Sequence, residues 1–337
     1  QLQFQSWPDH TNGLTGHQGA RDVSFLRMIS YRPLGRTGMQ VSSLGLGTVE
    51  LGRDYGIEAP GHFGRPPTGD AISLVHAALD AGINYIDTAR VYGESEKVLG
   101  EALEGRRDDV VLATKFFARG PDEEPLAGEA LRTHMRLELE ASLRLLRTDF
   151  VDLWQLHNLD AEALDQIDVV TEMFDEARQS GKLRWTGVSA YGTEYPRLAL
   201  ETDVFEVLQV PYSVIDQRAD DTVMPTAKQR NVGIVARSIL LKGALTPKAD
   251  HLPDHLEILK SHSRRFRDLV EVSGLGLTPV QAAIAFGLAH AQIGTVLIGV
   301  RTVQELEENI KATEYTLPDD LLTDLDELRL EDPDLLH

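Results

Sequence analysis

Short β-prone runs alternate with longer amphipathic stretches along most of this chain, and this alternation constrains the fold more than any other feature. Each run ends in small or polar residues, and the stretches between carry apolar residues at spacings of three and four. The runs lie at residues 43–48, 85–88, 110–116, 151–157, 184–190, 207–212, 233–238 and 295–300. The helical pattern is clearest at residues 70–81, 129–146, 161–179, 279–289 and 303–312. Eight strand–helix units predict an α/β fold in which a parallel sheet closes into a (β/α)8 TIM barrel.

Two segments fall outside these units. Residues 31–41 hold a Gly-Arg-Thr-Gly turn between β-prone flanks and predict an N-terminal hairpin, while residues 318–330 have the spacing of an extra C-terminal helix. Residues 1–27 are polar and Gly-rich, and they lack the charged start and apolar run of a signal peptide. We therefore expect residues 1–27 to be a leader or extension outside the fold, and residues 28–337 to form a single barrel domain.

The composition narrows the functional class. The 33 basic and 53 acidic residues give a formal net charge of −20, which disfavours non-specific binding to nucleic acid or anionic membranes. The chain has no cysteine, which excludes disulfides, thiolate metal sites and cysteine nucleophiles, and agrees with a cytoplasmic protein. Its 11 histidines lack metal-motif spacing, and no apolar run approaches the ~18 residues of a membrane span. The expected partner is a small molecule, with no metal, membrane or nucleic acid.

Four side chains suited to proton transfer stand at or just beyond the ends of three consecutive predicted strands. They are Asp87, Tyr92, Lys115 and His157. The strand ends of a parallel barrel share one face, where active sites form. Hydride transfer to a carbonyl leaves an alkoxide that needs a proton. Tyr92 could supply it, with the Lys115 ammonium lowering the phenol pKa from ~10.

In the same scheme Asp87 would hold Lys115 in place, and His157 would orient the substrate oxygen through a hydrogen bond. Taken singly, each residue has an ordinary structural explanation as a cap, a turn residue or a solvated charge. The hypothesis therefore depends on their conjunction at one face.

Longer motifs surround these residues. They lie at residues 31–38 (YRPLGRTG), 44–48 (LGLGT), 82–96 (GINYIDTARVYGESE), 112–115 (LATK), 152–157 (DLWQLH), 181–189 (GKLRWTGVS) and 307–309 (EEN). Together they resemble the aldo-keto reductases over nearly the whole chain. The resemblance implies a catalytic tetrad of Asp87, Tyr92, Lys115 and His157, a nicotinamide cofactor across the carboxyl face of the barrel, and no metal. It also implies reduction of aldehydes or ketones to alcohols with NAD(P)H, or oxidation of alcohols or sugars in reverse.

The same resemblance implies a set of cofactor-binding positions. They are Gly47, Thr48, Asp87, Ser189, Gln209, Tyr212, Arg237, Ser238, Leu240, Lys242, Gly243, Gly299, Arg301, Thr302, Glu305, Glu308 and Asn309. Ser189 and Gln209 match the residues that hold the nicotinamide carboxamide. Residues 235–243 resemble the pyrophosphate loop of the family, and residues 298–309 resemble its adenosine-binding corner.

The chain departs from the family at three of these places. Ala190 follows Ser189 where Asn is common, and Arg237 stands where many members carry Trp or Tyr. Tyr212 is the candidate to supply the missing stacked ring. Glu305 stands where Gln or Arg is frequent, and a carboxylate disfavours a 2′-phosphate while suiting a ribose hydroxyl. The family resemblance implies NADP as the cofactor, with NAD as the alternative.

The substrate pocket is expected to form from the loops that follow the strands. Its candidates are Val49, Tyr55, Tyr92, Phe116, Phe117, His157 and Asn158, a mixture that suits small aromatic aldehydes and sugars equally. Two other functions compete with the reductase. One is a cofactor-binding regulatory subunit with vestigial activity. The other is a barrel hydrolase or isomerase, which would need the metal cluster or paired catalytic carboxylates that the sequence lacks.

Overall fold

The computed structural model describes residues 29–59 and 63–330, and eight of its strands form a closed parallel barrel. The barrel strands are β3 (Leu44–Gly47), β4 (Tyr85–Asp87), β5 (Val111–Phe116), β6 (Val151–Leu156), β7 (Leu183–Ser189), β8 (Val207–Pro211), β9 (Gly233–Arg237) and β10 (Ile293–Gly299). They follow one another around the barrel in chain order, and β10 pairs with both β9 and β3 to close it. The predicted (β/α)8 TIM barrel is confirmed, with strand ends within two residues of those expected.

The helices surround this barrel. They are α1 (Val49–Gly52), α2 (Thr68–Asp80), α3 (Ser95–Ala102), α4 (Gly128–Leu146), α5 (Ala161–Leu164), α6 (Ile167–Gln179), α7 (Glu194–Thr202), α8 (Ala219–Arg230), α9 (Glu257–Val272), α10 (Pro279–Ala289), α11 (Val303–Ile310) and α12 (Asp319–Asp326). The helix expected over residues 161–179 is divided into α5 and α6. The Asp160 side chain caps α5 by accepting the Ala163 N–H, so this turn has its own start signal.

The predicted N-terminal hairpin is present and covers the amino end of the barrel. Strands β1 (Tyr31–Pro33) and β2 (Gln40–Ser42) pair antiparallel. Leu34, in the turn between them, is fully buried among side chains of the barrel interior. A Cβ atom at Gly233, the first residue of β9, would lie 2.7 Å from the Leu34 side chain. Leu34 therefore fills the amino end of the barrel interior. A pocket that opens from the barrel interior is expected at the carboxyl end.

The C-terminal extra helix is α12, shorter than the predicted range 318–330. The proposed leader, residues 1–27, lies outside the described residues. Within the part of the chain that is described, no helix is long and apolar enough to cross a membrane.

Candidate active site

A buried ion pair stands at the centre of the barrel's carboxyl face. Asp87 ends β4 and Lys115 lies on β5, and their side chains are 3% and 0% exposed. The Lys115 ammonium pairs with one Asp87 oxygen, donates to the Thr88 carbonyl at 2.9 Å, and reaches the Tyr92 hydroxyl at 3.4 Å. Burial lowers the pKa of Lys115, and the charge of Asp87 opposes this shift. The ammonium thus has its three donors directed at three oxygens, one of which is the phenol.

The second oxygen of Asp87 is held by two amides from distant strands. Gln155 on β6 and Gln209 on β8 donate to Asp87 Oδ2 at 3.2 and 2.8 Å. Gln209, which is expected to hold a nicotinamide carboxamide, also lines the cavity, and its NH2 group donates to Asp87. These bonds fix the carboxylate and, through it, the position of Lys115.

Tyr92 lies in the loop between β4 and α3, and close packing sets its position. A Cβ atom at Gly52 would lie only 1.7 Å from the Tyr92 carbonyl oxygen, so only glycine fits there. Burial raises the pKa of Tyr92 above its ordinary value, with a further rise from Asp87 and an opposing effect from Arg237. The net shift of the Tyr92 pKa is therefore upward, because burial dominates, although the Lys115 ammonium lies 3.4 Å from the hydroxyl. The phenol stays protonated at neutral pH.

His157 follows β6 and faces Tyr92. Its ring stacks on Phe117 with centroids 4.4 Å apart and meets Tyr92 edge-on at 6.0 Å. Burial lowers the pKa of His157 well below its ordinary value, and the charges of Lys115 and Arg237 lower it further. The imidazole is therefore neutral at pH 7 and carries one N–H donor.

A cavity of about 680 Å³ opens above these residues. Most of the predicted site residues line it: Gly47, Thr48, Val49, Tyr55, Asp87, Tyr92, His157, Gln209, Arg237, Ser238, Leu240, Lys242, Gly243, Gly299, Arg301, Glu305, Glu308 and Asn309. The cavity thus joins the ends of β3, β4 and β6 to the segment after β9 and to helix α11. Its volume lies within the ~300–1,000 Å³ of small-molecule sites.

Three of the predicted substrate residues lie outside this lining. Phe116 packs outward against Trp154 and Phe174 at 4.5 and 6.1 Å, because it follows the inward-facing Lys115 on β5. Phe117 lies behind the His157 ring and supports it. Asn158 adopts a left-handed backbone conformation with φ of 58° and also lies outside the lining.

Three predicted cofactor residues also lie outside it. Tyr212 is buried, stacks on Phe286 at 5.7 Å, and donates its hydroxyl to Asp220, so it does not replace the missing ring. Thr302 uses its hydroxyl to cap α11, accepting the Glu305 N–H at 3.1 Å. Ser189 is 1% exposed, and its Oγ is buried without a hydrogen-bond partner among the described residues.

Three charged or aromatic residues of the cavity were not predicted. Glu50 comes two residues after Thr48, and Tyr191 comes two residues after Ser189, so proximity to those motifs was the available signal. Lys248 lies in a 3₁₀ turn with no motif around it. Burial raises the pKa of Glu50 to about 7, while a backbone hydrogen bond and the charges of Arg301 and Lys248 oppose the rise.

The segment after β9 has an unusual backbone. Ser238, Leu241 and Lys242 have φ values of 60°, 47° and 57°, in the left-handed region that favours glycine. The Lys242 carbonyl accepts the Ile57 N–H at 3.2 Å, which ties residues 55–57 across the cavity. Strain of this kind is concentrated at ligand-binding segments.

Two charged residues that line the cavity contact each other at the start of α11. Glu305 accepts the Arg301 backbone N–H at 2.8 Å, and its other oxygen pairs with the Arg301 guanidinium at 3.5 Å. A carboxylate therefore already occupies the neighbourhood of this arginine. Among the described residues no group of three His, Asp or Glu side chains could hold a metal ion.

Comparisons with a family model, with curated proteins and with solved structures all match this chain to oxidoreductases. Residues 43–330 match the model of the Aldo/keto reductase family. The oxidoreductase YrpG of Bacillus subtilis is 31% identical over 89% of this chain and 96% of its own length. L-Galactose dehydrogenase of Arabidopsis thaliana is 31% identical over 84% of this chain and 88% of its own. The holo form of the aldo-keto reductase AKR11C1 from Bacillus halodurans superposes with a TM-score of 0.73 at 27% identity, covering 89% of this chain and 96% of the other.

Proposed function

The chain belongs to the aldo/keto reductase family and is an oxidoreductase, and on that premise we propose that it reduces aldehydes or ketones with a nicotinamide dinucleotide. The same site would also catalyse the reverse reaction, the oxidation of alcohols or sugars. The observation that carries the proposal is the meeting of Tyr92, the Asp87–Lys115 pair and His157 at one end of a cavity of about 680 Å³. A phenol beside a fixed ammonium and a neutral imidazole is suited to donating a proton to a carbonyl oxygen.

The residues present fit a dinucleotide. The cations Lys242, Lys248 and Arg301 line the cavity although the chain carries a net charge of −20. Positive side chains of this kind suit the phosphates of a dinucleotide. The left-handed backbone after β9 suits anion binding by main-chain N–H groups. The orphaned hydroxyl of Ser189 is a candidate partner for the carboxamide.

When bound, the reduced nicotinamide supplies the hydride that a carbonyl carbon accepts. Tyr92 gives its hydroxyl proton to the carbonyl oxygen, and the Lys115 N–H at 3.4 Å stabilises the phenolate that remains. Asp87 keeps Lys115 in position. His157, neutral at pH 7, donates a hydrogen bond to the same carbonyl oxygen and orients it. Because burial raises the pKa of Tyr92, the proton donor is present throughout the neutral range.

We propose NADPH as the reductant, with a small preference over NADH. Arg301 would bind the 2′-phosphate, as the family resemblance implies. Its pairing with Glu305 reduces the charge that it can offer, and a phosphate would meet the Glu305 carboxylate. No observation in the described residues favours the regulatory-subunit alternative. The proposed location is the cytoplasm, which cell fractionation would test.

The test combines binding with turnover. The purified protein is titrated with NADPH and NADH by fluorescence and is then assayed with a panel of aldehydes and ketones. Tyr92→Phe should lower turnover by ~10²–10⁴-fold and leave the dinucleotide Kd within a few-fold, because it removes only the proton donor. Tyr315→Phe, the same change at an exposed position away from the cavity, is the control. If Tyr92→Phe kept more than a third of the turnover, the assignment of the proton donor would be wrong.

A further inference from the structure

Arg237 has an unusual position for a charged residue. It ends β9 and lines the cavity together with Tyr92, His157, Tyr55 and Tyr191. Its guanidinium carbon lies 4.0 Å from the centre of the Tyr191 ring. It therefore stands at the end of the cavity where the carbonyl would react.

The guanidinium lacks the partners that such a group normally has. Among the described residues, Nη1 donates to the Ser238 hydroxyl at 3.3 Å, and Nη2 is buried without a hydrogen-bond partner. No carboxylate among the described residues forms an ion pair with it, whereas Lys115 pairs with Asp87 and Arg301 with Glu305. An unpaired buried donor on a cation is costly, so an anion at this place would be stabilised.

The surroundings indicate which anion. The Arg237 charge lowers the pKa of Tyr92 and of His157, which places it within electrostatic reach of the proton donor. Lys242, Lys248 and Arg301 also line the cavity, and the proposed function assigns them to the phosphates of the dinucleotide. A guanidinium matches the planar geometry of a single carboxylate through two parallel N–H donors.

We propose that Arg237 binds a carboxylate of the substrate, so that this reductase prefers carbonyl compounds that also carry a carboxylate group. The inference rests on the proposed function and names the substrate class for it. In the reaction the carbonyl carbon gains the hydride and the carbonyl oxygen gains the Tyr92 proton, while the carboxylate is unchanged. Where many members of the family carry a Trp or Tyr ring, this chain carries a charge.

The experiment compares aldehydes that differ only in that charge. The 3- and 4-formylbenzoates are assayed against the corresponding formylbenzamides, with wild type, Arg237→Met, Arg237→Lys and Lys97→Met. We expect wild type to favour a formylbenzoate in kcat/KM by about tenfold or more at one ring position. Arg237→Met should lose ~10–100-fold on that aldehyde and less than threefold on its amide, because one charge-assisted contact is removed. Arg237→Lys should restore part of the preference, and Lys97→Met, which removes an exposed lysine outside the cavity lining, should leave it unchanged.

Binding gives a readout that does not depend on turnover. Calorimetry with the product alcohols, 3- and 4-(hydroxymethyl)benzoate and their amides, should show the same Arg237-dependent preference in the protein saturated with NADP⁺. The Kd for NADPH should stay within threefold in Arg237→Met. A loss of NADPH affinity of tenfold or more, with both aldehydes slowed equally, would assign Arg237 to the cofactor and overturn the proposal.

Equal use of benzoate and benzamide by wild type would also overturn it, while the reductase function would stand. If no carbonyl compound is turned over at all, the proposed function fails. The calorimetric comparison still decides whether Arg237 recognises a carboxylate.

Discussion

Replacing Lys115 with methionine tests the buried ion pair at the centre of the site. Among the described residues, the change leaves the buried Asp87 carboxylate with the Gln155 and Gln209 amides as its side-chain donors. Breaking a buried pair from one side typically destabilises by ~3–5 kcal/mol, because an uncompensated charge stays buried. At roughly 2 °C per kcal/mol for a chain of this size, the melting temperature should fall by about 6–10 °C.

A double-mutant cycle separates this effect from lost packing. Asp87→Asn in the Lys115→Met background removes the unpaired charge, so the double variant should recover about half or more of the lost stability. Lys97→Met is the control, since it removes a lysine from an exposed pair with Glu94 and should cost no more than ~1 kcal/mol. The assay is urea and thermal unfolding of the wild type, the single variants Lys115→Met and Asp87→Asn, the double variant and the control under one buffer condition.

The same variant should change the pH dependence of turnover. Oxidation of an alcohol needs the Tyr92 phenolate as base, and loss of the neighbouring ammonium raises the pKa of Tyr92 further. The alcohol-oxidation profile of Lys115→Met should therefore move to higher pH, with turnover nearly as low as in Tyr92→Phe. A folded Lys115→Met protein with wild-type stability and an unchanged profile would refute this account.

Two further predictions concern the rest of the cavity. Burial raises the pKa of Glu50 from 4.5 to about 7, so its contribution to stability is present below pH 4.5 and is lost as the pH rises through 7. Glu50→Gln should therefore raise the free energy of unfolding by about 1–3 kcal/mol at pH 8.5 and hardly at all at pH 4.5, and equal effects in urea melts at both pH values would contradict this. At the adenosine end, Arg301→Ala should weaken NADPH binding by about tenfold and spare NADH, while Glu305→Gln should strengthen NADPH binding. If neither change moves the ratio of the NADPH and NADH dissociation constants by more than about twofold, Arg301 and Glu305 do not form the adenosine-binding site.

Local patterns in the sequence were sufficient for the architecture. The alternation of strand-like and helix-like segments predicted a closed parallel barrel, and the structure has it. Helix α10 begins and ends where predicted, because Thr278 and Gln281 form a capping box before an apolar run. The division between α5 and α6 was missed, since residues 161–179 keep helical spacing across both.

The sequence by itself also determined which residues meet at the carboxyl face, because every strand of a parallel barrel ends there. Asp87, Lys115 and His157 were predicted on this ground alone, and they lie together. Only the tertiary structure decided what each side chain faces. Gln209 is 122 residues from Asp87 in the chain and bonds to it only because the barrel closes. The charge state of Tyr92, and the lack of a hydrogen-bond partner for Arg237 Nη2 among the described residues, likewise depend on burial and on distances between separate strands, which no local pattern encodes.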